Sequence, residues 1–162
     1  MRKWLLFASV ASALGLGLVL VALSEGTSGA AANQQRIDLV SRATAINNFV
    51  DIGPAGASPG DLYVFSDDVA FASDPTTKVG RADGRCTLID PSSARFGCTI
   101  IVSLPSGDIT TEGTLINAPG AKSTGAVTGG TKDFQKARGE GVLDLGPPEG
   151  PHTVTFLLTL VP

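Results

Sequence analysis

The sequence predicts an all-β chain, an eight-stranded antiparallel up-and-down β-barrel, on three observations. Beyond residue 32 no window keeps apolar residues at the helical spacings i, i+3, i+4 and i+7. Short runs rich in Val, Ile, Thr and Phe recur instead, at intervals of roughly ten residues. Clusters of Gly, Pro, Asp and Ser punctuate them. Eight consecutive strands joined by short turns leave unpaired edges unless the sheet closes, and eight is the number at which a barrel just encloses side chains or one small ligand. A β-sandwich is the alternative from pattern alone, because period-two alternation does not distinguish a lumen from an inter-sheet core.

The first strand is expected over Arg36–Asp51, broken near Ala45, and stops at the turn-rich stretch Gly53 to Gly60. Leu62–Phe71 follows and ends before Ser73-Asp74-Pro75. Val79–Ile89 and Phe96–Leu104 flank Asp90-Pro91-Ser92-Ser93 as a hairpin, and Pro105-Ser106-Gly107 leads into Asp108–Ile116. The turn Ala118-Pro119-Gly120 precedes a short strand at Thr124–Thr128, and Gly129-Gly130-Thr131-Lys132 precedes Ala137–Leu145. Gly146 to Pro151 opens the last strand, His152–Val161. Its alternation places His152, Val154, Phe156, Leu158 and Leu160 on one face. Thr99 to Val102 is apolar on both faces, which implies a greasy outer surface covered by another subunit or segment.

Length and composition bound the rest. The chain has 162 residues, 43% hydrophobic and 17% charged, which suits one folded domain and excludes a disordered tail or a coiled coil. Net charge is −3, and no cationic cluster offers phosphate a grip, so nucleic acid is not an expected partner. Arg2 and Lys3 precede 20 uncharged residues from Trp4 to Leu23, then Ala30-Ala31-Ala32. Residues 1–32 therefore read as a signal peptide or an uncleaved N-terminal anchor, and residues 33–162 as a secreted or extracytoplasmic barrel domain. A membrane enters only through that leader. The first cysteine, Cys86, is too far along the chain to carry a lipid anchor.

A hairpin centred on Ser92 sets residue 86 opposite 98, so Cys86 and Cys98 face each other. In an oxidising compartment they are expected to form a disulfide. The alternative is a reduced Cys86 thiol in the lumen, activated by Arg85 or Arg81.

One histidine and two cysteines cannot assemble a tetrahedral zinc set, so no bound metal is expected. No nucleophile elbow, phosphate loop or dinucleotide fingerprint occurs. What remains is ionisable residues set in strands. Tyr63, Phe65 and Asp67 share one face, joining the only Tyr to a carboxylate flanked by aromatic carbon. In a lumen, burial raises such a carboxyl's pKa and fits it for general acid work or for stabilising a cation. The plain alternative for Asp67-Asp68 is a solvated strand end. For Asp133, Arg138 and Glu140 it is surface ion pairing.

Three stretches carry a resemblance: Gly60-Asp61-Leu62-Tyr63-Val64-Phe65-Ser66-Asp67-Asp68, Lys78-Val79-Gly80-Arg81-Ala82-Asp83-Gly84-Arg85-Cys86, and Ala126 to Gly139 with its Gly-Gly-Thr-Lys-Asp-Phe-Gln-Lys-Ala-Arg-Gly core. In order and spacing they resemble the superfamily of allene oxide cyclases and plant dirigent proteins, from about Ile46 to the carboxyl terminus. The resemblance implies an eight-stranded barrel, commonly trimeric, that works without a cofactor on a small hydrophobic molecule, guiding its cyclisation or coupling. It implies Asp67, Asp133 and Arg138 as catalytic groups, Cys86 as a substrate contact, and a homo-oligomer, while Tyr63 and Phe65 join as substrate contacts from the face they share with Asp67. The cyclases' polar pair on the first strand has only Arg42, Asn47 and Asn48 as candidates here, and Lys132 stands where the dirigent motif usually has Gly. A non-catalytic carrier of lipids or small apolar metabolites, or a structural envelope protein with a filled lumen, are the competing readings.

Overall fold

The computed structural model describes residues 33–147 and 150–160. The leader, residues 1–32, lies outside the described residues. Eight strands run in chain order around a closed barrel: β1 (Asn33–Val50), β2 (Leu62–Phe71), β3 (Lys78–Asp90), β4 (Arg95–Leu104), β5 (Gly107–Ile116), β6 (Lys122–Gly130), β7 (Arg138–Asp144) and β8 (His152–Leu160). All neighbours are antiparallel, and β8 closes on β1 from Asn33↔Leu160 to Ser41↔His152. That closure decides for the barrel over the sandwich, because it leaves no sheet edge to cover.

The expected strands recur with small shifts at their ends. The break near Ala45 is a register shift, not an interruption: β1 stays continuous while its pairing with β2 slips between Ala43 and Asn47. β6 is longer than Thr124–Thr128, because Gly129 and Gly130 pair with Thr110 and Ile109 rather than turning. The chain turns one step later, through a 3₁₀ turn at Lys132–Phe134.

Period-two alternation fills the interior from both ends. One apolar cluster joins Ile37, Leu39, Val69, Ile109, Phe134 and Leu158, and a second joins Leu88, Phe96 and Leu115 with the two cysteines. Cys86 and Cys98 are direct ladder partners, with Cα atoms 4.0 Å apart and their sulfurs bonded. Outward-facing Ile101 is 42% exposed, as the two-sided apolar run in β4 foretells.

The connections divide between the ends of the barrel. Segments 51–61, 91–94, 117–121, 145–147 and 150–151 lie at one end; 72–77, 105–106 and 131–137 lie at the other. Asp61, fully buried, ties down the longest of these. Its carboxylate accepts the backbone N–H groups of Ile52 at 2.9 Å, Gly53 at 3.2 Å and Ser58 at 2.6 Å.

Candidate functional site

Between the two apolar clusters the barrel keeps a cavity of about 110 Å³. At 10–15 Å³ for each water-sized group, it has room for roughly seven to eleven of them, the scale of a small molecule. Its walls are mainly carbon: Phe65 from β2, Ile100 and Val102 from β4, Leu143 from β7, and Val154 and Phe156 from β8. Two glycines make the space. Phe65 lies against Gly84, and Phe156 lies against Gly141, each ring filling the volume that a Cβ would need.

Into this apolar space the alternation of β2 turns Tyr63, Phe65 and Asp67, which all line the cavity. Asp67 is 6% exposed. Its Oδ2 accepts a hydrogen bond from Ser41 Oγ at 2.8 Å, while its Oδ1 is buried with no hydrogen-bond partner among the described residues. Burial pushes the Asp67 carboxyl above its ordinary value of 3.8, and the nearby charges of Asp68 and Asp83 add to the rise. The Ser41 hydrogen bond and His152 oppose it. An orphaned buried oxygen costs about 1–3 kcal/mol, so the fold tolerates a group that a bound molecule would satisfy. Tyr63 donates its hydroxyl proton to Asn47 Oδ1, and burial raises its phenol above 10, with the charge of Asp67 adding to the effect.

Cys98 lines the cavity, but Cys86 does not. Cys86 is 1% exposed and bonded to Cys98, so the substrate contact expected of a free thiol there is corrected to a structural bridge. Asp133 and Arg138 are also placed elsewhere. Asp133 sits exposed in the 131–137 connection, at the end of the barrel opposite the cavity-lining Asn117 and Leu145. Arg138 is turned outward by the alternation of β7: Ala137 is fully buried and Gly141 and Leu143 line the cavity, so Arg138 and Glu140, on the opposite parity, are exposed. Its guanidinium donates to the carbonyl of Ala137 at 2.7 Å. A motif carried over by spacing alone fixes neither the face nor the height of these side chains.

Of the first-strand candidates, Asn47 lines the cavity. Arg42 is exposed and donates to the carbonyl of Pro75, and Asn48 is exposed opposite outward-facing Val64. Sequence reasoning overlooked Ser41, Thr111 and His152 as site residues. Parity held a signal for two of them: Ser41 shares a face with Ile37 and Leu39, and His152 shares one with Val154 and Phe156. Among the described residues no group of three or more His, Cys, Asp or Glu is placed to hold a metal ion.

No protein-family profile and no curated protein sequence matches the chain. Solved structures do. A pyocyanin demethylase superposes with a TM-score of 0.63 at 23% identity, over 78% of this chain and 100% of its own. The pterocarpan synthase dirigent protein GePTS1 gives 0.60 at 15% identity, over 94% and 99%. AbnU, an exo-specific intermolecular Diels-Alderase, gives 0.60 at 16%, over 78% and 98%. This chain has their fold. Dirigent proteins and cycloaddition cyclases are thus built on the same closed barrel, in agreement with the resemblance in sequence, and identities this low speak to architecture alone.

Proposed function

We propose that this chain is an exported, cofactor-independent barrel that binds a small hydrophobic molecule and guides its cyclisation or coupling. The reading is carried by one observation: Asp67 Oδ1, buried and without a hydrogen-bond partner among the described residues, in a cavity whose walls are mainly carbon. The apolar walls hold a flexible, reactive molecule in a ring-closing conformation, removing the entropy it would lose on the way to the transition state. Asp67 then protonates the closing molecule or stabilises developing positive charge, and Tyr63 supplies a second polar contact from the same strand face. Barrels of this fold include a pterocarpan synthase dirigent protein and an exo-specific intermolecular Diels-Alderase, which supports the reading. The leader would deliver the chain to an oxidising compartment, where the Cys86–Cys98 bridge persists. Exposed Ile46, Val50, Ile52 and Val64 support association of copies, with a trimer the expectation from the resemblance.

The test is stereochemical. An unstable apolar intermediate that cyclises unaided in water gives a racemate; with the protein it is expected to give one enantiomer in excess. Asp67→Asn should still bind the molecule while turnover falls by about 10²-fold or more. A racemic product from bound molecules would overturn the reading in favour of a carrier.

A further inference from the structure

His152 is the chain's single histidine, and it lines the cavity beside Val154. Its Nδ1 lies 2.8 Å from the carbonyl oxygen of Leu145. A carbonyl oxygen only accepts, so Nδ1 carries the proton and donates it. In the neutral ring this leaves the lone pair on Nε2, which has no hydrogen-bond partner among the described residues. The backbone at the end of β7 therefore fixes the tautomer. In the β1–β8 ladder His152 stands opposite Ser41, and Ser41 Oγ is the donor to Asp67 Oδ2. One small cavity thus presents an imidazole nitrogen with a lone pair to offer and, one ladder partner away, a carboxyl oxygen with no hydrogen-bond partner among the described residues.

We infer that His152 Nε2 and Asp67 Oδ1 act as a base and an acid that relocate a proton within one bound molecule. The substrate class is then a small apolar molecule carrying both an acidic O–H or N–H and a conjugated carbonyl-type acceptor. This rests on the reading that the cavity binds a small hydrophobic molecule. In the step, Nε2 takes the proton from the O–H, the O–H electron pair becomes part of a new C=O, and the conjugated acceptor takes the proton of Asp67. The bound molecule becomes its own tautomer, with no change of oxidation state. The protein is left with an imidazolium and a carboxylate. His152 is partly exposed, so it returns its proton to water, and Asp67 recovers one from the same source. Burial of the Asp67 carboxyl favours the protonated form that the step requires.

A lone histidine makes the test direct, in protein without a polyhistidine tag. The probes are 4-hydroxyacetophenone, which carries both groups, and 4-methoxyacetophenone, which lacks the acidic proton. In long-range ¹H–¹⁵N spectra the neutral ring of the free protein is expected to carry its proton on Nδ1 and its lone pair on Nε2. The hydroxy probe should shift Nε2 toward the protonated position, and the methoxy probe should leave it unmoved. His152→Gln should keep affinity for the methoxy probe within about threefold and lose the phenolate-like absorption of the bound hydroxy probe. Asp67→Leu, which removes the donor to the carbonyl, should weaken the methoxy probe by roughly 3- to 10-fold, the value of one hydrogen bond. If both probes bind and Nε2 does not respond, or if the free ring carries its proton on Nε2, the inference falls while the binding cavity stands. If neither probe binds, the reading beneath it falls as well.

Discussion

Phe65 and Gly84 are direct partners across the β2–β3 ladder, and the ring of Phe65 occupies the space that a side chain at residue 84 would fill. The ring is also a cavity wall, so a change at position 84 reaches the site without touching it. Gly84→Ala is expected to cost about 1–3 kcal/mol, the usual price of overpacking, and to push the ring into the cavity. Denaturant unfolding and the affinity for 4-methoxyacetophenone should fall together. Adding Phe65→Leu to Gly84→Ala should recover part of both, because the two residues share one space and their effects do not add.

The same alternation explains what was legible in advance. Strand number, order and the Cys86–Cys98 register follow from period two and turn chemistry, which are local properties. Tyr63, Phe65 and Asp67 could be placed on one face for that reason. Arg138 and Asp133 could not be placed by a motif, since their positions depend on where β7 begins after the turn at Lys132–Phe134 and on which end of the barrel holds the cavity. His152 was readable as inward-facing, but its fixed tautomer depends on the carbonyl of Leu145, seven residues earlier, coming within 2.8 Å. That contact exists only once the β7–β8 connection has folded.

The disulfide spans a sequence separation of 12 residues within one hairpin. Closing so short a loop stabilises by about 3 kcal/mol in the chain-entropy account. Cys86→Ala with Cys98→Ala is expected to lower the unfolding free energy by about 2–3 kcal/mol while leaving far-UV circular dichroism unchanged, because the β3–β4 ladder does not need the bridge to keep its register. Reductant should shift the midpoint of the parent protein and not that of the double variant. A midpoint insensitive to reductant in both would show that the bridge adds nothing.

Asp61 gathers three backbone N–H groups of the 51–61 connection, and those hydrogen bonds, that of Ile52 foremost, hold its carboxyl below its ordinary 3.8. A depressed folded value means that the stabilising contribution is present above the unfolded pKa and is lost as pH falls through the folded one. Asp61→Ala should speed amide exchange at Ile52, Gly53 and Ser58 by roughly tenfold at neutral pH, with exchange in β4 and β8 unchanged. An equal rise throughout the barrel would show that Asp61 supports the whole fold and not the loop.

Asp67 carries the opposite sign. Its carboxyl is raised above 3.8, chiefly by burial. A raised folded value means that the folded state holds the proton more tightly, so the favourable contribution is complete below the unfolded pKa and is lost as pH rises through the folded one. At neutral pH the residue therefore works against folding, as a group kept for chemistry does. Asp67→Asn retains an acceptor for Ser41 and removes the ionisation, so it should raise stability at pH 7 by on the order of 1 kcal/mol, or a few degrees in Tm. The gain should shrink steadily as the pH falls and Asp67 takes up its proton, leaving an uncharged group at this position in both chains. Asp38, Asp61, Asp74, Asp90 and Asp144, all with lowered carboxyls, destabilise both proteins alike as the pH falls, so the difference between the two curves isolates Asp67. A difference that grew on acidification would mean that the carboxylate is held charged by its neighbours, and the acid role assigned to it would then have no physical basis.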